Sequence, residues 1–178
     1  APSLAPFKRQ KILTNLFFVT MTEYERGLPT HIAFPPQIIA NPLGRVLSEA
    51  GLKQLRLTET EKERFVTYYF NGLREEPFSG EDRLIIPSPQ VATYDLKPEM
   101  SAPQVTQALI ERLTTVKYDF SLVNFPNPDM VAHTGNLKAS IQACATIDTY
   151  VGQIVNHVLA LNGTILITAD HGNAEELI

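Results

Sequence analysis

The sequence predicts an α/β fold, in which a mostly parallel sheet is flanked by helices. A strand, a long helix and a second strand follow one another between residues 118 and 168, with lengths that suit a βαβ crossover. Residues 164–168 form a continuous β-branched and aliphatic run, typical of a strand covered on both faces. With 178 residues, 44% of them hydrophobic, the chain is also long enough for one substantial core.

The first predicted elements are a strand and a well-marked helix. Residues 16–21 form a short apolar run rich in β-formers and predict a buried strand. The helix is predicted over residues 42–50, with Asn41 as N-cap, Pro42 at its first position and Gly51 just past its end. Leu43, Val46, Leu47 and Ala50 would lie on one face of this helix.

Shorter elements follow in the middle of the chain. Alternation over residues 53–57 predicts a strand, and residues 58–62 then open a helix that runs to about residue 70. Residues 84–86 predict a short strand between loops. Ser101 and Gln104 have the spacing of a capping box, which predicts the start of the next helix.

The last part of the chain predicts the βαβ crossover. Strands at residues 118–124 and 164–168 are joined by a helix over about 137–161, so the strands should be parallel and their carboxyl ends should share one edge of the sheet. The predicted inward face of the helix consists of Ile141, Cys144, Ala145, Val151, Val155, Val158 and Leu159.

Composition argues against several classes of protein. A net charge of −4 and a pI of about 5.6 leave no basic surface for nucleic acid. No apolar run is long enough for a membrane span, and the first residues lack the pattern of a signal peptide. Cys144 is the single cysteine, so no internal disulfide can form, and we expect it to be buried. These features fit a cytoplasmic protein with no membrane or nucleic-acid partner.

Four side chains follow the last two predicted strands. Asp129 and His133 come after the first, and Asp170 and His171 after the second. Taken singly, each has an ordinary explanation, such as a helix N-cap for Asp129 or an Asx-turn for Asp170. Gathered at one sheet edge they would be an uncompensated polar cluster, which a divalent cation would neutralise. Mixed carboxylate and imidazole ligands suit Mn²⁺ or Zn²⁺ better than Ca²⁺.

Lys62 lies at the start of a predicted helix, where free N–H groups and an ammonium would suit a phosphate. The alternative is a solvated surface lysine paired with Glu59 or Glu63, which is the more common situation. The residue pattern alone favours this second interpretation.

Several segments resemble one known family. Residues 124–135 (Asn-x-x-Asn-Pro-Asp-Met-Val-x-His-Thr-Gly) and 168–175 (Thr-Ala-Asp-His-Gly-Asn-Ala-Glu) closely resemble the cofactor-independent (2,3-bisphosphoglycerate-independent) phosphoglycerate mutases of the alkaline phosphatase-like superfamily. Shorter matches occur at residues 18–22, 33–36, 51–56 and 87–89, so the resemblance extends over nearly the whole chain.

The resemblance implies roles for individual residues. Asp129 and His133 would bind one Mn²⁺, and Asp170 with His171 the other, while Lys62 matches a lysine that contacts the phosphate. The family interconverts 3-phosphoglycerate and 2-phosphoglycerate in glycolysis through a phosphoserine intermediate. The implied protein is a cytoplasmic, monomeric isomerase.

The chain also departs from the family pattern. Full members are about three times as long, and their segment with the serine nucleophile, their inserted transferase domain and a further metal histidine have no counterpart in this sequence. We therefore expect residues 1–178 to be part of the phosphatase (metal-binding) domain, a C-terminal fragment with no catalytic nucleophile and little or no mutase activity. Ala132 and Leu73 stand where the family usually has glycine.

Two other functions stay open on the sequence. The complete protein could be another metal-dependent phosphatase or a phosphopentomutase of the same superfamily, which activity on phosphopentoses would reveal. The chain could also be a truncated, non-catalytic domain, in which the cluster has only a structural role. Substitution of Asp129 or His171 should abolish Mn²⁺ binding if the protein is either kind of enzyme. It should leave fold and binding unaffected if the domain is non-catalytic.

Overall fold

The computed structural model of the chain describes residues 3, 4, 7, 8 and 13–177 and divides it into two units, residues 1–38 and 39–178. In the first unit, β1 (Ser3–Leu4) pairs antiparallel with β2 (Phe7–Lys8), and β3 (Val19–Thr20) pairs in parallel with β4 (His31–Ile32). The buried strand predicted at residues 16–21 is wrong in extent and in burial. Only two of its residues pair, and Leu16, Phe17, Phe18, Val19 and Met21 are all exposed, because a two-residue partner is too small to cover them.

The second unit contains a three-stranded parallel sheet, which confirms the predicted fold class. Its strands are β5 (Gln54–Glu59), β6 (Glu81–Ile86) and β7 (Phe120–Val123), and β5 lies between the other two. All six residues of β5 are buried, because it has a paired neighbour on each side. The sheet therefore aligns the carboxyl ends of β5 and β7 at one edge.

Four α-helices accompany this sheet: α1 (Leu43–Glu49), α2 (Ala102–Thr115), α3 (Asn127–Ala132) and α4 (Leu137–Ala160). α2 contacts both β5 and α4, while α3 packs against α4. The main core cluster joins β5 to α2 and α4 and consists of Leu55, Leu57, Val105, Leu109 and Ile154. In the described part of the chain, no helix has the length and apolarity needed to cross a membrane.

The chain after β5 differs from its predicted form. Residues 58 and 59 extend the strand instead of opening a helix, because Glu59 pairs with Ile86 at the end of the β5–β6 ladder. A 3₁₀ turn (Thr60–Lys62) and a short π-helix (Phe65–Tyr69) follow. The tight turn immediately after the strand places Lys62 in the interior, with 5% of its surface exposed.

Two predicted helix starts have different details. α1 begins one residue later than predicted, with Pro42 rather than Asn41 as N-cap, whereas Gly51 does end it with φ of +71°. Ser101 is the N-cap of α2, but no capping box forms. Its hydroxyl donates instead to the carbonyl of Pro87 at 2.8 Å, which ties α2 to the loop after β6.

The apolar faces predicted for two helices are only partly covered. In α1, Leu43 and Val46 are exposed. In α4, four residues predicted to face inward are exposed: Ile141, Cys144, Ala145 and Leu159. The other three, Val151, Val155 and Val158, are half-buried, and Val158 packs against the core. The fully buried residues are Ala139, Ser140, Ala143 and Ile154. α4 carries apolar side chains on most sides, so its contacts with α2 and α3, rather than its periodicity, decide which face is covered.

The strand predicted at residues 164–168 does not form. No backbone hydrogen bond joins this segment to another residue in the range 13–177, and β7 pairs only with β5 there. Leu166 is 91% exposed and Ile167 is 67% exposed, while Ile165 packs against the core. The predicted βαβ crossover is therefore absent from the described structure, because a strand needs a hydrogen-bonding neighbour that local sequence cannot supply.

Candidate metal centre

The first pair of candidate ligands is held by the short helix that follows β7. Asp129 lies in the first turn of α3, and His133 is its C-cap, with its backbone N–H donating to the Asp129 carbonyl. Residues four apart on a helical turn share one side. The Nε2 atom of His133 accordingly lies 3.3 Å from Oδ1 of Asp129. Ala132, where the family usually has glycine, is helical and buried and does not have the positive φ that a glycine would favour.

The second pair, Asp170 and His171, also lies close to Asp129, although the strand predicted before it does not form. The Nε2 atom of His171 lies 4.0 Å from Oδ2 of Asp129 and 3.7 Å from Oδ2 of Asp170. The side chain of Asp129 is 14% exposed, while those of Asp170 and His171 are each 43% exposed. Asp129 thus contacts both His133 and His171, and His171 also contacts Asp170, so the four predicted residues are linked through Asp129 and His171. Asp129 is less accessible than Asp170 and His171.

Lys62 lies beside three of the four side chains, those of Asp129, Asp170 and His171. Its Nζ atom is 2.7 Å from Oδ2 of Asp129 and 3.9 Å from Oδ2 of Asp170. The same ammonium is 3.5 Å from Nε2 of His171 and lies over the ring of Phe65. The interpretation as a solvated surface lysine is therefore wrong: Lys62 is a buried cation that faces the acidic residues of the site.

Electrostatics keep Asp129 ionised. Burial alone would raise the pKa of its carboxyl group, but hydrogen bonds from Lys62 and Asn173, together with the positive charge of Lys62, outweigh burial and lower the pKa. The carboxylate form is the one that can bind a cation.

Asn173 is a site residue that residue-by-residue reasoning did not single out. Its Nδ2 atom donates to Oδ1 of Asp129 at 2.7 Å and also to the Asp129 carbonyl at 3.2 Å. The residue belongs to the 168–175 segment that resembles the family, but nothing in its spacing showed that its amide would contact a residue 44 positions earlier.

The donor types suit a divalent metal ion. Two carboxylates and two imidazoles are ligands that Mn²⁺ and Zn²⁺ accept. Within residues 13–177, however, no group of three or more acidic, imidazole or thiol side chains is already arranged to hold one ion. Asp129, Asp170 and His171 instead lie around the ammonium of Lys62. The site therefore contains ligand types that suit a dication, and the positive charge of Lys62 balances part of its negative charge.

A cavity of about 230 Å³ adjoins the site. Asp170 and Asn124 supply its polar edge, and residues of the π-helix and of β7 supply most of its apolar wall. The carboxamide Oδ1 of Asn124 is buried and has no hydrogen-bond partner in the described part of the chain. The cavity thus offers an accepting polar edge next to the candidate ligands.

Comparison with known proteins identifies the family. The model of the Metalloenzyme superfamily matches residues 17–178, so the chain belongs to the Metalloenzyme superfamily. It is similar to the 2,3-bisphosphoglycerate-independent phosphoglycerate mutase of Chloroflexus aurantiacus, with 55% identity over 172 residues, 97% of this chain and 32% of that protein. The mutase of Moorella thermoacetica is 55% identical over 171 residues, 96% of this chain and 33% of that protein.

A solved structure gives the same result. The phosphoglycerate mutase of Leishmania mexicana, whose crystal structures were determined at low cobalt concentration, matches with a TM-score of 0.80 and 34% identity, over 89% of this chain and 29% of that chain. These comparisons confirm the resemblance to cofactor-independent phosphoglycerate mutases. The chain spans about one third of the length of the curated relatives it matches.

Proposed function

We propose that the complete protein is an isomerase that interconverts 3-phosphoglycerate and 2-phosphoglycerate, and that this chain supplies its metal and phosphate site. One observation carries the proposal: Lys62 and His171, 109 residues apart, each lie within 4.0 Å of both Asp129 and Asp170. The similarity to mutases supports the choice of substrate. The proposed setting is glycolysis in the cytoplasm, with a monomeric enzyme and no membrane or nucleic-acid partner.

Each residue has a proposed role. Asp129 with His133 would hold one Mn²⁺, and Asp170 with His171 would hold a second. Divalent ions bound there would supply charge neutralisation for a phosphoryl group and lower the pKa of an attacking hydroxyl. The remaining chemistry falls to the protein side chains.

Lys62 is the proposed phosphate ligand. Its ammonium is a compact positive charge with three N–H donors, which suits phosphoryl oxygens. Because only 6% of the side chain is exposed, its attraction to a phosphate is screened by water less than that of a surface lysine. We propose that the serine nucleophile lies in the part of the relatives' sequence that this chain does not match, so the chain alone has little or no mutase activity.

Metal titration tests the site. Calorimetric titration of the chain with Mn²⁺ should show binding, and Asp129→Ala or His171→Ala should abolish it. Asp148→Ala is the matched control, because Asp148 is an exposed residue of α4. Undiminished Mn²⁺ binding by both site variants would favour a non-catalytic domain and contradict the proposal.

Complementation tests the substrate class. The chain can be mixed with the portion of the Chloroflexus aurantiacus relative that it does not match, in the presence of Mn²⁺. Conversion of 3-phosphoglycerate to 2-phosphoglycerate by the mixture, and little or none by the chain alone, is the expected result. Activity on phosphopentoses but not on phosphoglycerates would favour a phosphopentomutase. Conversion by the chain alone at the rate of a complete mutase would contradict the assigned roles.

A further inference from the structure

Both carboxylate oxygens of Asp129 are already engaged. Oδ1 accepts a hydrogen bond from Asn173 at 2.7 Å and lies 3.3 Å from Nε2 of His133. Oδ2 is 2.7 Å from the ammonium of Lys62. A metal ion that binds Oδ2 would therefore lie close to that ammonium.

The same ammonium also faces the second pair of candidate ligands. It lies 3.9 Å from Oδ2 of Asp170 and 3.5 Å from Nε2 of His171. A dication and an ammonium cannot both approach one carboxylate oxygen without strong repulsion, which grows where water is excluded. Lys62 and a dication therefore compete for one position.

The surroundings of Lys62 allow it to leave this position. Its Nζ atom lies 4.5 Å from the centre of the Phe65 ring. Phe65 and Asp170, both close to Nζ, line the cavity of about 230 Å³ beside the site. A flexible lysine side chain can turn across the ring face toward this space while keeping a favourable cation–π contact.

We propose that Lys62 is an internal counter-cation, which neutralises Oδ2 of Asp129 when no divalent ion is bound and withdraws from this oxygen when a divalent ion binds. The inference rests on the proposed metal-binding function and adds an order of events to it. The ammonium becomes available to a phosphate only after the ion has taken over the carboxylate. Metal loading thus makes the site competent for phosphate.

This role has an unusual signature, since one substitution should act in opposite directions on two measurements. Removal of the ammonium leaves the largely buried carboxylate of Asp129 without its cation, which destabilises the metal-free protein. It also removes the competitor of the metal, which strengthens metal binding. A lysine with only a structural role would lower stability without tightening the binding of an ion.

The test compares the chain with Lys62→Met, which removes the charge and keeps much of the side-chain length. Lys117→Met is the control, because Lys117 is exposed and precedes β7, at the opposite end of that strand from the site. Titration calorimetry with Mn²⁺ alone should show at least about tenfold tighter binding by Lys62→Met, as expected for the loss of a like charge about 4 Å from the ion. Thermal unfolding in a chelator should show a midpoint lower by roughly 3 °C or more.

The outcomes separate this inference from the function on which it rests. Equal or weaker Mn²⁺ binding by Lys62→Met than by the unmodified chain would overturn the inference and leave the metal site intact. Failure of both proteins to bind Mn²⁺ would overturn the proposed function itself. If Lys62→Met does not fold, Lys62→Gln retains a hydrogen-bond donor for Asp129 without the charge, and the same tighter binding is required of it.

Discussion

Asn173 donates from its Nδ2 atom to Oδ1 of Asp129 at 2.7 Å, although 44 residues separate the two. A second hydrogen bond runs from the same atom to the Asp129 carbonyl at 3.2 Å. The two contacts join the last described turn of the chain to α3. They hold the segment around Asn173 against α3 and orient the carboxylate of Asp129. This part of the chain is therefore attached by side-chain contacts, since residues 164–168 form no strand pairing.

Asn173→Ala should therefore weaken Mn²⁺ binding by about 10- to 100-fold, which is the usual effect of removing a group that orients a metal ligand. Asn156→Ala, on the exposed side of α4, should bind Mn²⁺ like the unmodified chain. Calorimetric titration of both variants provides the comparison. An unchanged affinity in Asn173→Ala would show that the carboxylate is positioned without the amide.

Burial raises the pKa of Glu59, the last residue of β5. Oε1 accepts a hydrogen bond from the backbone N–H of Ser101 at 2.9 Å, whereas Oε2 is buried without a partner in the described part of the chain. A raised pKa means that the folded state binds the proton more tightly than the unfolded state. Ionisation of Glu59 therefore lowers stability as the pH rises above the carboxyl's unfolded pKa.

Glu59→Gln should accordingly raise the free energy of unfolding at pH 7 by about 1–3 kcal/mol, because the neutral amide does not carry the desolvation cost of a buried carboxylate. The gain should shrink as the pH falls below the folded pKa of Glu59, where the native side chain is itself neutral. Urea unfolding at several pH values measures both effects. Glu63→Gln, at an exposed position, should show neither, and a gain in Glu59→Gln that is independent of pH would contradict the explanation.

Leu73 has a φ of +69°, a conformation that costs a side-chain-bearing residue roughly 1–2 kcal/mol and glycine almost nothing. The family resemblance places a glycine at this position. Leu73→Gly should therefore be about 1 kcal/mol more stable than Leu73→Ala, the reverse of the usual order in helices. Both variants lose the same packing, so their difference isolates the backbone. If urea unfolding shows that Leu73→Ala is as stable as Leu73→Gly or more stable, the backbone at this residue is not strained.

The parallel sheet could be predicted from sequence because its signals are local. Alternation of polar and apolar residues marks β5, short apolar stretches mark β6 and β7, and the glycine after α1 marks its end. The strand at residues 164–168 has the same local signal but does not form. Strand pairing depends on a neighbouring segment, and the described residues provide none.

The site was predictable only in part. The two acid and histidine pairs were found because each follows an apolar run, and the resemblance pointed to Lys62. The position of Lys62 between the pairs could not be derived, because it depends on a 3₁₀ turn that replaces the predicted helix. The inward face of α4 was predicted only in part for a related reason, since a helix that is apolar on most sides does not reveal which side its neighbours cover.

The most direct test of the proposed metal centre is an anomalous difference map from crystals of the chain soaked in Mn²⁺. We expect density at coordination distance from Asp129 and His133, a second peak beside Asp170 and His171, and the ammonium of Lys62 displaced from its 2.7 Å contact with Asp129. A map with no peak among these side chains, and with Lys62 still bound to Asp129, would contradict the proposed metal site.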